Sequence, residues 1–354
     1  MNPQEYNYRL PPELIAHTPA EPRDSARLFV YSTKTDEIVL DTFAHLSRYL
    51  PEKSLLVFND TQVVPARLEL MKLTGGTVRI LFLMNEWRTV VRADGGQNEL
   101  LKGLPDRKLT VGDRLFFNHR GIIEVVGQQN EEFSFRLHIS VDEFEKLCQT
   151  HGQTPLPPYI HTSLNEEEAR SKYQTVFASK PASVAAPTAS LHFTDGVLQS
   201  LAAKGIDKTS VTLHVGRGTF SPLTAESVRD KRLHPEPIQV GSESAEKIKQ
   251  AKLDRHTVVS AGTTATRTLE ATAEYILKGD GYIGETSLMI TPPYDFKIVD
   301  AMITNFHIPN TSLLMLLDAF LQYKGSKKTW RELYERAIQE KFRFYSFGDA
   351  MLII

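Results

Sequence analysis

Apolar positions along the chain fall into short runs, and their texture changes twice. Residues 28–32 (LFVYS) and 54–60 (SLLVFND) are almost unbroken apolar stretches, as expected of strands buried on both faces. From 67 to 151, β-type runs recur at short spacing: TVRILFLM, RTVVRA, DRLFFN, IIEVVG and FSFRLHI. Gly75-Gly76, Gly95-Gly96 and the stretch from Asn118 to Gly121 punctuate them, which predicts a small all-β barrel or sandwich. Residues 142–149 carry a helical pattern. At Thr154-Pro155-Leu156-Pro157-Pro158-Tyr159 the prolines impose a stiff, extended connector. Beyond it strands and helices alternate. VTLHVG, TVVSAG and SLMITPP read as strands, and 243–252, 266–277, 312–323 and 329–340 read as helices. Such alternation points to α/β layering.

The expected fold class is therefore mixed α/β and α+β. A discontinuous α/β main domain, 1–66 plus 153–354, carries an inserted all-β barrel-like domain at 67–152. A length of 354 residues suits two domains. A cleft between them is the expected seat of a large substrate.

Composition narrows the picture by exclusion. The formal net charge is −2, so a polyanionic partner would have to meet a local basic patch. One cysteine, Cys148, allows neither an intramolecular disulfide nor a cysteine-based zinc site. It is expected as a small buried apolar residue. The start, MNPQEYNYRLPPEL, shows no secretory pattern, and no apolar stretch reaches the ~18 residues that span a bilayer. A cytoplasmic protein without a membrane partner is expected, and a monomer.

Polar clusters at the ends of expected strands are where α/β proteins build sites. Asn59-Asp60-Thr61 follows SLLVF. The stretch SVAAPTASLHFT offers Thr188 and His192 among small residues that let a flat ligand approach, and Thr194 can cap the next helix. TLHVGRGTF presents His214 on a strand before a glycine loop that fits neither a Walker nor a Rossmann fingerprint. In Leu233-His234-Pro235-Glu236, His234 and Glu236 could share a strand face for proton transfer. Gly262-Thr263-Thr264 places free N–H groups at a helix start, and Arg267 lies one turn on, so an anion fits there. Local pairing of Arg267 with Glu270 is the alternative. Asn305 and His307 precede an apolar helix. Finally, residues 342–350 (FRFYSFGDA) alternate aromatics with Arg343 and Ser346 along an expected strand, which suits base stacking or simply core packing.

The joint order of LPPELIAHTPAEPRDSARL, LLVFNDTQVVPARL, PLPPYI, YQTVFA, SVAAPTASLHFT, VTLHVGRGTF, GTTATRTLE, TNFHIPNTSLLM and KFRFYSFGDAMLII resembles the S-adenosylmethionine:tRNA ribosyltransferase-isomerase family of queuosine biosynthesis. Ser190 departs from the glycine usual there. The resemblance implies transfer and rearrangement of the ribosyl part of S-adenosylmethionine onto 7-aminomethyl-7-deazaguanine at the wobble position of tRNA. The product is epoxyqueuosine, and adenine and methionine leave. S-adenosylmethionine is then a consumed substrate, with no resident cofactor and no metal. For that chemistry His192, His214 and His307 are candidate bases, neutral imidazole being available near pH 7. Glu236 is a carboxylate alternative, and Asp349 could orient or deprotonate the amine. Arg267 with Thr263 and Thr264 is expected to hold the methionine carboxylate. Asn59, Asp60 and Thr61 are expected at ribose or base edges, with Thr188 and Asn305 completing the small-molecule contacts. Arg23, Arg27 and Arg343 are candidates for tRNA phosphates. A paralogue acting on another base or amine, or a non-catalytic RNA-binding protein, stays open as an alternative.

Overall fold

Successive residues in the central strands point to opposite faces, and both faces are apolar, so the sheet must be covered on both sides. The computed structural model describes residues 3–84, 88–91, 97–157, 159–160, 164–216 and 225–354. The chain opens with β1 (Arg27–Ser32), β2 (Glu37–Thr42), β3 (Leu55–Asn59) and the short β4 (Thr61–Val63). Next come β5 (Arg67–Lys72), β6 (Thr77–Phe82), β7 (Arg88–Val91), β8 (Gln97–Pro105), β9 (Arg114–Phe117), β10 (Arg120–Gln129) and β11 (Glu132–Leu137). Helices α1 (Val141–His151) and α2 (Glu166–Lys172) lead to β12 (Lys180–Ser183), α3 (Asp195–Ala203), β13 (Asp207–Leu213), α4 (Ala225–Asp230) and β14 (Arg232–Val240). The remainder is α5 (Ser242–Leu253), β15 (Val258–Ala261), α6 (Thr263–Ala271), α7 (Ala273–Ile276), β16 (Tyr282–Leu288), β17 (Ala301–Asn305), α8 (Ser312–Tyr323), α9 (Trp330–Gln339) and β18 (Ala350–Ile353).

Nine strands form the main sheet in the order β16-β14-β13-β3-β15-β17-β18-β1-β2. Its strands come from both sides of the β-rich segment in sequence. Within it β13, β3, β15 and β17 are mutually parallel, so their carboxyl ends share one edge. The pleat divides their side chains. Phe29, Tyr31, Leu55, Val57 and Met302 enter one core beneath α5, α6, α8 and α9. Leu28, Val30, Leu56, Phe58 and Ile303 enter the other, beneath α3 and the 3-10 helix Phe43–Arg48. Each such burial stabilises the fold by roughly 1.5–3 kcal/mol.

The segment 67–137 forms an antiparallel sheet in the order β11-β10-β9-β5-β6-β8-β7, and a further β11–β8 pairing closes six of its strands into a barrel. Leu68, Leu70, Ile80, Leu115, Val125 and Phe135 fill it. Cys148 is buried in this core, and burial pushes its thiol pKa up to about 12. Where the barrel segment leaves and rejoins the main sheet, Arg67 and Gln153 exchange backbone hydrogen bonds of 3.2 and 2.8 Å. A Cβ on Gly152 would lie 1.8 Å from the Pro65 carbonyl oxygen, so only glycine permits this crossing.

Several sequence expectations change. The expected strand over 342–350 is a loop, and the strand starts only at Ala350. SLMITPP lies mostly beyond β16, which ends at Leu288. The expected helix 266–277 starts three residues earlier and breaks at Thr272 into α6 and α7. β13 ends at Leu213, which leaves His214 just past the strand. Thr194 does cap α3, accepting from the Val197 N–H at 3.3 Å. No described helix is long and apolar enough to cross a membrane.

Candidate functional site

Four parallel strands ending at one edge expose the loops that follow them, the usual location of ligand crevices in open α/β sheets. Here those loops surround an open cleft of about 670 Å³, the solvent at its mouth included. Its floor and sides include Thr188, Gly262, Thr263, Thr264, Asn305 and His307, and Tyr159 and Tyr345 stand on one wall. No residue of the barrel segment lines it, so this cleft belongs to the main sheet; two further crevices do lie between main-sheet and barrel-side residues, one bordered by Val63, Gln149 and Gln174 and the other by Val64, Met84 and Pro181.

Helix α6 points its amino end at the cleft. Gly262, at φ +98, turns the chain out of β15, and no side chain caps the first-turn amides. Those N–H groups and the helix dipole favour an anion. Arg267 does not join them. It is 4% exposed and ion-paired to Glu236, itself 1% exposed, and its Nε donates to the Leu288 carbonyl at 3.1 Å. Glu236 also accepts from the Gly216 N–H at 3.1 Å. Both residues, expected at the substrate, form a buried clasp between α6 and β14. Glu270, the other expected partner of Arg267, instead accepts three backbone N–H groups of residues 297–299. The His234 Nε2 lies 3.6 Å from Glu132, while Glu236 is engaged by Arg267. Among the described residues no group of three His, Cys, Asp or Glu side chains could hold a metal ion.

The three histidines sit in different settings. His307 lines the cleft, with Nε2 3.0 Å from the Thr304 hydroxyl, and burial pushes its pKa down to about 3. His192, on the 3-10 helix Thr188–His192, lies behind the wall against Phe43. Burial, helped by Arg343 and Arg23, pushes it down to about 3. Its Nε2 is 3.4 Å from Asn305 Nδ2. His214 is half-buried, and its Nδ1 is 2.8 Å from the Thr61 hydroxyl. Burial lowers its pKa, and Asp60 opposes that shift. Of the three, His214 keeps the greatest capacity to accept a proton near neutral pH.

Asn59 is fully committed. Its Oδ1 accepts from the Leu213 and Thr61 N–H groups at 3.0 and 3.1 Å, and its Nδ2 donates to the Leu213 carbonyl and the Thr264 hydroxyl. Asp60 accepts from the Thr212 hydroxyl at 2.7 Å, with Lys180 3.8 Å away. The Thr61 hydroxyl is 2.6 Å from that of Ser183. This cluster braces the ends of β3 and β13 beside Val215, which lines the cleft. Arg217, Gly218, Thr219 and Phe220 of the glycine loop, and Pro158, lie outside the described residues.

The remaining candidates are tied to the scaffold. Asp349 is 1% exposed and accepts from the Arg27 and Arg343 backbone N–H groups at 3.0 and 2.8 Å, away from the cleft lining. Arg23 donates to the Gln174 and Ser171 carbonyls at 2.6 and 2.5 Å. Arg27 donates to the Glu340 carbonyl and stacks 3.9 Å over Phe342. Arg343 chelates Asp349. Their engagement with backbone and carboxylate places none of these guanidinium groups in the cleft. The sequence reading passed over Tyr159 and Ser183. Tyr159 sat inside a proline connector, and only the fold brings its ring to the site. The departure at Ser190 is accommodated, its buried hydroxyl 3.5 Å from the Ala261 carbonyl.

Residues 3–353 match the family described as "Queuosine biosynthesis protein". The chain is 41% identical over 366 residues to an S-adenosylmethionine:tRNA ribosyltransferase-isomerase of Carboxydothermus hydrogenoformans, with both chains covered in full. A protein of the same name from Aquifex aeolicus is also 41% identical, again over all of both chains. The crystal structure of S-adenosylmethionine tRNA ribosyltransferase from Thermotoga maritima superposes with a TM-score of 0.54 at 30% identity, covering 99% of this chain and 100% of that one. A family match running almost end to end, with full-length relatives well above 30% identity, makes this chain a member of the queuosine biosynthesis protein family.

Proposed function

We propose that this chain transfers the ribosyl part of S-adenosylmethionine to the amine of 7-aminomethyl-7-deazaguanine in tRNA and isomerises it to the epoxycyclopentane of epoxyqueuosine. Adenine and methionine are released. The observation that carries this reading is the cleft at the carboxyl ends of four parallel strands, with an uncapped helix amino end facing it. The sulfonium acidifies the neighbouring 5′ carbon, so the reaction needs a base there. His214 is assigned that role: it precedes the cleft-lining Val215 without itself lining the cleft, its Nδ1 is held by Thr61, and Asp60 opposes the lowering of its pKa by burial. His307, held neutral, serves as a hydrogen-bonding group in the wall, because a pKa near 3 makes it too weak a base for carbon acid chemistry. The α6 amides at Thr263 and Thr264 hold the methionine carboxylate, the place first expected of Arg267. Thr188 and Thr264 offer hydroxyls to the ribose. S-adenosylmethionine enters as a consumed substrate and no resident cofactor is invoked. The polynucleotide partner puts the reaction in the cytoplasm, and one chain carries every residue invoked.

The test is incubation with S-adenosylmethionine and tRNA bearing the aminomethyl base. Free adenine and a nucleoside mass shifted to that of epoxyqueuosine are expected. An intact sulfonium donor after prolonged incubation refutes the reading.

A further inference from the structure

Threonine hydroxyls and small apolar side chains line most of the cleft, and two tyrosines form one side of it. Tyr345 forms that aromatic side from an unusual backbone: its φ is +75, in the left-handed region where a non-glycine residue is strained. The strain is held from the cleft itself. The Tyr345 N–H donates to the Phe306 carbonyl at 3.0 Å, and its carbonyl accepts from the Gly348 N–H at 3.0 Å and from Asn305 Nδ2 at 3.3 Å. Gly348 is required for this turn, since a Cβ there would lie 2.5 Å from the Arg343 carbonyl oxygen. The Asn305 amide cannot flip without loss. Its Oδ1 accepts from Thr188 at 3.2 Å, and its Nδ2 also faces His192. The half-buried Tyr345 ring meets Tyr159 edge-on, with centroids 4.7 Å apart and planes at 64°. Tyr159 in turn is fixed by a 2.5 Å hydrogen bond between its hydroxyl and that of Ser346. The ring packs against the margin of the main core, and it is propped from its edge by Tyr159 and left partly open to the crevice.

We propose that Tyr345 is the stacking face of the cleft for a purine-type ring, with Tyr159 as its edge support and Asn305 and His192 as positioning residues behind it. This deepens the proposed function and rests on it for the two sources of such a ring, the adenine of S-adenosylmethionine and the deazaguanine of the tRNA.

Calorimetric titration of the full chain separates the sources. The ligands are S-adenosylmethionine and an anticodon stem–loop carrying 7-aminomethyl-7-deazaguanine. The variants are Tyr345→Phe and Tyr345→Gly. Glycine is chosen because it suits φ +75 and so keeps the turn while deleting the ring. Tyr345→Phe should bind both ligands within about twofold of the parent, and Tyr345→Gly should weaken one by about tenfold or more at an unchanged melting temperature. Loss for S-adenosylmethionine identifies the ring as adenine, and loss for the stem–loop identifies the deazaguanine. Asn305→Asp keeps the acceptor for Thr188 but cannot donate to Tyr345. It should raise KM for the same ligand while kcat changes less. Parent-like binding of both ligands by Tyr345→Gly overturns the proposal. Binding by the parent without any adenine release would instead refute the group transfer and leave the stacking face standing.

Discussion

Acid sensitivity of the main sheet follows directly from His192 and His307. Burial holds both imidazoles neutral, with pKa values pushed down to about 3, against about 6.5 in an unfolded chain. The unfolded state therefore binds more protons than the native state between those values. The stability this contributes is complete above pH 6.5 and is lost as pH falls toward 3. At roughly 1.4 kcal/mol per pH unit, moving from pH 7.5 to 5 removes about 2 kcal/mol for each histidine, about 4 kcal/mol for the pair. That is a large share of the roughly 5–15 kcal/mol available to a typical fold. Of the chain's two tryptophans, Trp330 packs against the main-sheet core. A Trp87→Phe background makes it the sole indole reporter. Urea unfolding at pH 7.5, 6.5, 5.5 and 5 should be compared for that background and for added His192→Gln or His307→Gln. Each glutamine variant should start less stable, and its deficit should shrink by about 2 kcal/mol by pH 5. Unfolding curves that stay parallel across the window would show that these imidazoles are not buried neutral, and the reasoning would fail.

Glu236→Ala should cost about 3–5 kcal/mol in urea unfolding, because Arg267 would be left charged and unpaired in the interior; the double change Glu236→Leu with Arg267→Met should recover most of it. His214→Gln should abolish adenine release at normal S-adenosylmethionine affinity. In the parent, activity should fall as pH drops through the lowered His214 pKa, and stay flat above pH 6.5 as far as this group is concerned. Gly262→Ala should cost about 1–2 kcal/mol from its positive φ and raise KM for S-adenosylmethionine, measured by adenine release. Replacing Arg23 by Gln should leave the salt dependence of tRNA binding unchanged, because its guanidinium is already spent on backbone carbonyls; a slope reduced by about one unit would return it to the phosphates.

What the sequence made legible was local. The runs LFVYS and SLLVF read correctly as doubly buried strands because nothing polar interrupts them, and α8 read correctly because its apolar residues recur at helical spacing. β8 escaped because QNELLKGLP looks like loop. Gly103 is there since a Cβ would meet Ile80 at 2.8 Å inside the barrel, a constraint visible only once the barrel closes. The aromatic alternation after Lys341 mimicked a strand although positive φ at Tyr345 and the turn at Gly348 preclude one. At the site, polar residues following strands were found by position, and Thr188, Thr263, Thr264, Asn305 and His307 do converge on one cleft. Arg267, Glu236 and Asp349 looked equally functional as letters. Arg267 and Glu236 lie 31 residues apart, a distance over which a sequence gives no pairing signal, and Asp349 joins Arg27 from 322 residues away and Arg343 from six residues away across a turn that the expected strand concealed.

The place of β18 in the main sheet bears on how the protein is made. It sits between β17 and β1, and Leu28 pairs with Ala350. A nascent chain would therefore carry β1 and β17 with open, apolar edges until residue 350 had left the ribosome, while the barrel strands could close much earlier on short loops. Chaperone engagement during synthesis should concentrate on the first of these, and frameshifts near the codons for 350–353 should yield aggregates, not a weakened enzyme.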